Sequence, residues 1–142
     1  MNPATNAPAG ATPAAASDLS SVEQVKSSRP YRELLRLFEQ APGFVCFFRG
    51  PQHVYELQNH AHHRLAGFRD IIGKPVRAAL PELEGQQFFE LLDQVFASGQ
   101  AFVGQALPLA VAPAGGGPAT LRYIDFVYQP IVDEGGAVVG IF

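Results

Sequence analysis

Apolar side chains recur along this chain at several spacings, and each spacing predicts an element. Tyr31, Leu34, Leu35 and Phe38 fall at i, i+3, i+4 and i+7, the spacing of one helix face. Pro30 suits the first turn of that helix and Ser28 stands where a cap is needed; upstream, Val22 and Val25 mark a weaker turn or helix. Ala41-Pro42-Gly43 breaks the pattern. Residues 44–49 and 53–58, rich in aromatic and β-branched side chains around Gly50-Pro51, then predict a β-hairpin. Asn59 is placed to cap a short helix over residues 60–66, which Gly67 stops. Residues 69–83 are short-helical or irregular, punctuated by Gly73-Lys74-Pro75 and Leu80-Pro81. Residues 85–98 predict the longest helix of this half, since Phe88, Phe89, Leu91, Leu92, Val95 and Phe96 make an apolar face wide enough to cover a sheet; Gly99 ends it. Strands follow at about residues 101–111, 119–131 and 137–142, separated by Gly115-Gly116-Gly117-Pro118 and Asp133-Glu134-Gly135-Gly136.

Five strands result, the last three joined by short hairpins and therefore antiparallel, so the expected class is α+β with an N-terminal helical extension. Residues 1–17 are built mainly of Ala, Pro, Asn, Thr and Gly, with no large apolar side chain, and are expected to be a disordered tail. Residues 18–41 form the helical extension, with Tyr31, Leu34, Leu35 and Phe38 as candidate dimerisation residues, and residues 42–142 form the domain. The formal charge is −3 and the pI about 5.7, without a basic stripe, so no nucleic-acid partner is expected. No apolar run approaches the roughly 20 residues that span a bilayer, and the N-terminus has no secretory pattern; the expectation is a cytoplasmic chain with no membrane segment in this stretch. The single cysteine, Cys46, allows no internal disulfide and reads as a small apolar core residue.

The residues show no catalytic constellation. Serines lie mainly in the extension, Gly115-Gly116-Gly117 leads into Pro118 and a strand instead of a phosphate-binding helix, and Glu82, Glu84, Glu90 and Asp93 read as a solvated acidic face. His60 and His63 share a helix face at i, i+3, but no acid or thiol in that helix completes a metal site, so no metal is expected there. Alternation over residues 123–128 puts Tyr123, Asp125 and Val127 on one face and Ile124, Phe126 and Tyr128 on the other. Periodicity leaves open which face is inward. Asp125 is either a ligand-orienting carboxylate or an outer residue paired with Arg122 or another surface base.

The hairpin, short helices, longer helix and final three strands resemble a PAS domain. The residues that carry the resemblance are Phe38-Glu39-Gln40-Ala41-Pro42-Gly43 before the first strand, Asn59-His60-Ala61 with Leu65-Ala66-Gly67, Ile72-Gly73-Lys74-Pro75, and Gln129-Pro130-Ile131 through Gly136 and Gly140. The resemblance implies one five-stranded antiparallel sheet of order 2-1-5-4-3 with helices on one face and a ligand pocket between them. It implies a lining of Tyr55, Leu57, His62, Phe68, Phe89, Leu92, Phe96, Leu107, Tyr123 and Asp125. Flavin photosensors of this family carry a reactive cysteine in a helix, whereas Cys46 falls in the first strand; haem-binding members carry an axial histidine on the helical side, and residues 85–98 contain none. The cofactor is thus left unknown. The function implied is a sensory or regulatory module of a signalling protein, such as a histidine kinase or cyclic-dinucleotide enzyme, that binds a small ligand or dimerises. An output domain of the same chain is expected beyond Phe142. The alternatives are a small cofactor-free enzyme using Asp125 and His62, or haem or flavin binding with unusual ligation through His62 or His63.

Overall fold

The computed structural model describes residues 24, 25 and 27–142, so the expected tail over residues 1–17 and the upstream Val22 lie outside the described residues. Two units divide the chain, Met1–Leu37 and Phe38–Phe142. In the first, helix α1 (Arg29–Gln40) begins where the Ser28 hydroxyl accepts the Tyr31 N–H at 3.4 Å, and Arg29 pairs with Glu33 one turn on. α1 crosses the boundary between the units and buries none of its residues fully.

The second unit opens with β1 (Cys46–Arg49) and β2 (Val54–Gln58), an antiparallel hairpin. His53 takes a positive φ of 54° in the turn, and the second strand starts one residue later than the pattern predicts. Between Phe47 and Phe48 the register slips: Phe47 lies opposite Leu57 and Phe48 opposite Tyr55, leaving Glu56 as the extra residue of a β-bulge. Helix α2 (His60–Leu65) follows. Asn59 is almost fully buried and all its polar atoms are used: Oδ1 accepts from His62 N–H and Val45 N–H, and Nδ2 donates to Gly43 O. One side chain thus caps α2 and ties it to the start of β1.

α3 (Val76–Ala79) and a 3₁₀ turn (Pro81–Leu83) lead to α4 (Phe88–Ser98). α4 starts three residues later than its apolar pattern predicts because Gly85 and Gln87 both adopt left-handed backbone, φ 81° and 77°. Between them Gln86 acts as a piece of strand. Its amide accepts from Ala110 N–H at 2.8 Å and donates to Ala110 O at 3.0 Å. Glu82 binds the next free donor, Ala112 N–H, and the Arg69 guanidinium in a bidentate pair. Burial alone would raise the Glu82 carboxyl, but the bonds from Arg69 and Ala112 N–H outweigh it and hold the acid below its ordinary range. The helical layer is fastened to the edge of β3 by these two side chains.

β3 (Phe102–Val111) pairs only with β4 (Thr120–Tyr128), while β5 (Pro130–Val132) and β6 (Val138–Ile141) complete a four-stranded sheet of order β2-β1-β6-β5. All pairings are antiparallel. The single strand expected over residues 119–131 is interrupted at Gln129 into β4 and β5, so the ladders fall into a four-stranded and a two-stranded sheet, while each pair of neighbours is one that the expected five-stranded order contains. At Gln129 the chain passes from one neighbour to another: β3 ends its pairing at Tyr128, and Gln129 exchanges two backbone hydrogen bonds with Phe142. Phe48, Tyr55, Leu92, Val95, Leu109, Phe126 and Ile141 are among the core residues between the strands and the helices.

Candidate ligand pocket

The inner face of the strands and the helical layer do not close completely on each other. A cavity of about 350 Å³ remains between them. Its floor is Phe48 on β1, Tyr55 on β2 and Ile124, Phe126 and Tyr128 on β4; its roof is His62 and Leu65 on α2, Val76 on α3 and Phe88 and Leu92 on α4. This settles the alternation over residues 123–128, with the aromatic-rich face inward. Residues 43–46 join the lining, and its exposed members, Gly43, Asp125, Val127, Gln129 and Phe142, mark the mouth. A volume of this size lies near the lower end for small-molecule sites, roughly 300–1,000 Å³, and an apolar wall with a few polar atoms is their usual make-up.

The polar atoms are few and held neutral. Burial pushes the Cys46 thiol up to about 12 and raises the phenols of Tyr55 and Tyr128. Burial, helped by neighbouring His63, lowers His62 to about 4, so its imidazole is uncharged at neutral pH. His62 Nδ1 lies 2.9 Å from Gln58 Oε1. An amide oxygen only accepts, so the proton sits on Nδ1 and Nε2 is left as an acceptor. The Tyr55 and His62 rings are neighbours, with centroids 5.6 Å apart, and Tyr128 stands across the Phe48 ring at 6.4 Å. No side-chain hydrogen bond joins either tyrosine hydroxyl or His62 Nε2 to a described residue, and the one fully buried side-chain polar atom without a partner among the described residues is His53 Nδ1, outside the cavity.

Of the ten residues expected in the lining, Tyr55, His62, Leu92 and Asp125 border the cavity. The other six do not. Leu57 is 48% exposed because the bulge at Glu56 reverses the phase of β2, setting Leu57 beside Phe47 on the outer face. Tyr123 is 68% exposed on the outer face of β4. Phe68 has positive φ and turns out to solvent, its ring against His60 and His63. Phe89 and Phe96 belong to the apolar face of α4 but pack beside Arg77 and His53, away from the cavity; Leu107 packs against the core without reaching it. Asp125 stays at the mouth, where its carboxylate accepts from Ala106 N–H at 2.7 Å and holds the β3 bulge. Its partner is neither Arg122 nor His62.

Sequence reading gave no role to His53, which is fully buried 40 residues from its partner. His53 Nε2 donates to Asp93 Oδ1 and Arg77 donates to Asp93 Oδ2, both at 2.7 Å. Burial opposes the Asp93 charge, but the two donors prevail and hold the carboxyl below its ordinary range. Among the described residues no three His, Cys, Asp or Glu side chains gather as a metal-holding group, and no helix is long and apolar enough to cross a membrane.

A short hairpin, a helical layer and returning antiparallel strands around a small internal cavity define an α+β domain with room for a ligand. Comparison with known proteins identifies it further: the PAS fold family model matches residues 38–142, and the chain belongs to the PAS family. Members of this family are in general sensory and regulatory modules. Solved structures share the fold at low identity. One is the PAS domain of a protein from Colwellia psychrerythraea, 16% identical over 78% of this chain and 89% of that one, with a TM-score of 0.58. A second is an RNA-binding light-oxygen-voltage receptor, 18% identical over 99% of this chain and 34% of the receptor, also with a TM-score of 0.58. A third is VqmA bound to DPO, 21% identical over 78% of this chain and 54% of VqmA, with a TM-score of 0.52. This chain thus spans about a third of the receptor and about half of VqmA.

Proposed function

We propose that this chain is the ligand-sensing module of a signalling protein, of the histidine-kinase or cyclic-dinucleotide-enzyme kind, that it pairs through α1, and that it passes a change in the sheet to an output domain. The observation that carries the reading is the cavity: an apolar chamber with two tyrosine hydroxyls and an imidazole nitrogen left without protein partners. Polar groups on the residues that line an otherwise apolar cavity, without a protein partner, favour an occupant that meets them. That VqmA, of the same fold, has been solved bound to DPO is in keeping with a ligand for this chain. Occupancy would act by selecting one arrangement of the strands around the mouth, where two backbone hydrogen bonds join Gln129 to Phe142.

Native mass spectrometry of the purified chain tests this directly. A small-molecule mass increment that disappears on denaturation, with a lower midpoint of thermal unfolding after the molecule is stripped, is the expected result. If small molecules leave both the midpoint and the dimer geometry unchanged, the chain is a pairing module only. Pairing has its own test, because Leu34 is 61% exposed on the apolar face of α1. Leu34→Glu is expected to lower the mass seen by light scattering without unfolding the domain; an unchanged mass refutes pairing through α1.

A further inference from the structure

The chemistry of the cavity wall narrows what it accepts. Its lining contains no lysine, arginine or glutamate, and its one aspartate, Asp125, sits exposed at the mouth with its carboxylate on Ala106 N–H. An ion drawn into the chamber past Asp125 would lose its hydration without meeting a counter-charge, which is among the costliest events in protein binding. The wall also has a direction. Gln58 fixes the His62 proton on Nδ1, so the nitrogen left over offers a lone pair and no hydrogen. The Tyr55 ring neighbours that of His62, and its hydroxyl can both give and accept a hydrogen bond.

Resting on the reading that this cavity takes a small molecule, we propose that it selects an uncharged, largely apolar molecule, of the size of one or two fused rings, that donates an N–H or O–H hydrogen bond to His62 Nε2. Tyr55 is the second polar contact, and the aromatic rings of Phe48, Phe88 and Phe126 grip the apolar body. Charged metabolites of the same shape are rejected by desolvation. Neutral molecules lacking a donor are discriminated against because they cover the His62 lone pair without satisfying it.

Matched probes separate these requirements. Indole and 2-naphthol each carry one donor; 1-methylindole and 2-methoxynaphthalene lack it; indole-3-acetate and tryptamine add a negative or a positive charge. Calorimetric titration of the purified chain with each, with methyl NMR shifts at Val76 and Leu92 to confirm occupancy of the cavity, is expected to rank the donors about tenfold or more above both other groups. In His62→Phe the gap between indole and 1-methylindole should close. If that variant does not fold, Gln58→Leu, which releases the tautomer, should shrink the same gap. Charged probes that bind in the cavity as tightly as indole overturn the selectivity while leaving ligand binding intact, and so does an equal affinity for indole and 1-methylindole. Failure of every probe to bind at millimolar concentration overturns the selectivity, and if native mass spectrometry also finds no retained molecule the ligand-sensing reading itself falls.

Discussion

Acidification from pH 7 to pH 5 should destabilise this domain chiefly through one side chain, His62. Its imidazole is buried among Phe44, Tyr55 and the cavity wall, and burial lowers its folded value to about 4 from an ordinary 6.5. Between those two values the unfolded chain binds a proton that the folded chain refuses, so folding stability rises with pH and is complete above about 6.5. A displacement of this size is worth roughly 2 kcal/mol at pH 5 relative to pH 7, since each unit corresponds to about 1.4 kcal/mol and the transition is not finished at pH 5. His62→Phe keeps a ring of similar volume and removes the proton site. Urea unfolding followed by circular dichroism at pH 5, 6 and 7 should show the wild type losing about 2 kcal/mol more than the variant over this range. Equal losses in the two proteins refute the assignment of a buried neutral imidazole at this position. Glu82 and Asp93 titrate in the other window: their folded values are depressed, so their stabilisation is present above the ordinary carboxylate range and is lost as pH falls through it.

Other substitutions probe single contacts. Gly67 has φ 73° and a Cβ there would lie 2.5 Å from Ala112 O, so Gly67→Ala should cost about 2 kcal/mol or more in chemical denaturation; a neutral result means that residues 112–113 yield freely. Arg69→Met removes the bidentate partner of the half-buried Glu82 and should cost about 2 kcal/mol at pH 7 and less at acid pH, where the unpaired carboxyl of the variant takes up a proton; a loss independent of pH points to packing alone. Asp125→Ala should cost about 1 kcal/mol in chemical denaturation by freeing Ala106 N–H; a neutral result means that water replaces the carboxylate there.

The elements of this domain were largely legible in its sequence because their signals are local. The spacing of Tyr31, Leu34, Leu35 and Phe38, the cap at Asn59 and the stops at Gly67 and Gly99 depend on backbone geometry within a turn or two of the residue concerned. The α+β class followed from their order, and the final hairpins from the glycines between strands. Half-legible features were those where a local pattern met a distant partner. The apolar face of α4 was visible, but its first turn was not, since Gln86 is drawn out of helical register by Ala110, 24 residues away.

What the tertiary structure alone decided is register and partnership. Period-2 alternation split residues 123–128 into two faces but could not orient them, because either face satisfies the pattern until the sheet meets its helices. A single bulge at Glu56, imposed by the pairing of β2 with β1, moved Leu57 out of the lining, and the change of neighbours at Gln129 divided one strand between two sheets. His53 with Asp93, and Asp125 with Ala106, are joined across 40 and 19 residues by contacts with no trace in spacing. The sequence determined which segments could be helix or strand, since those preferences act between near neighbours. The folded chain determined which side chains face the cavity, since a facing is fixed only when distant segments bring their hydrogen bonds and apolar surfaces together.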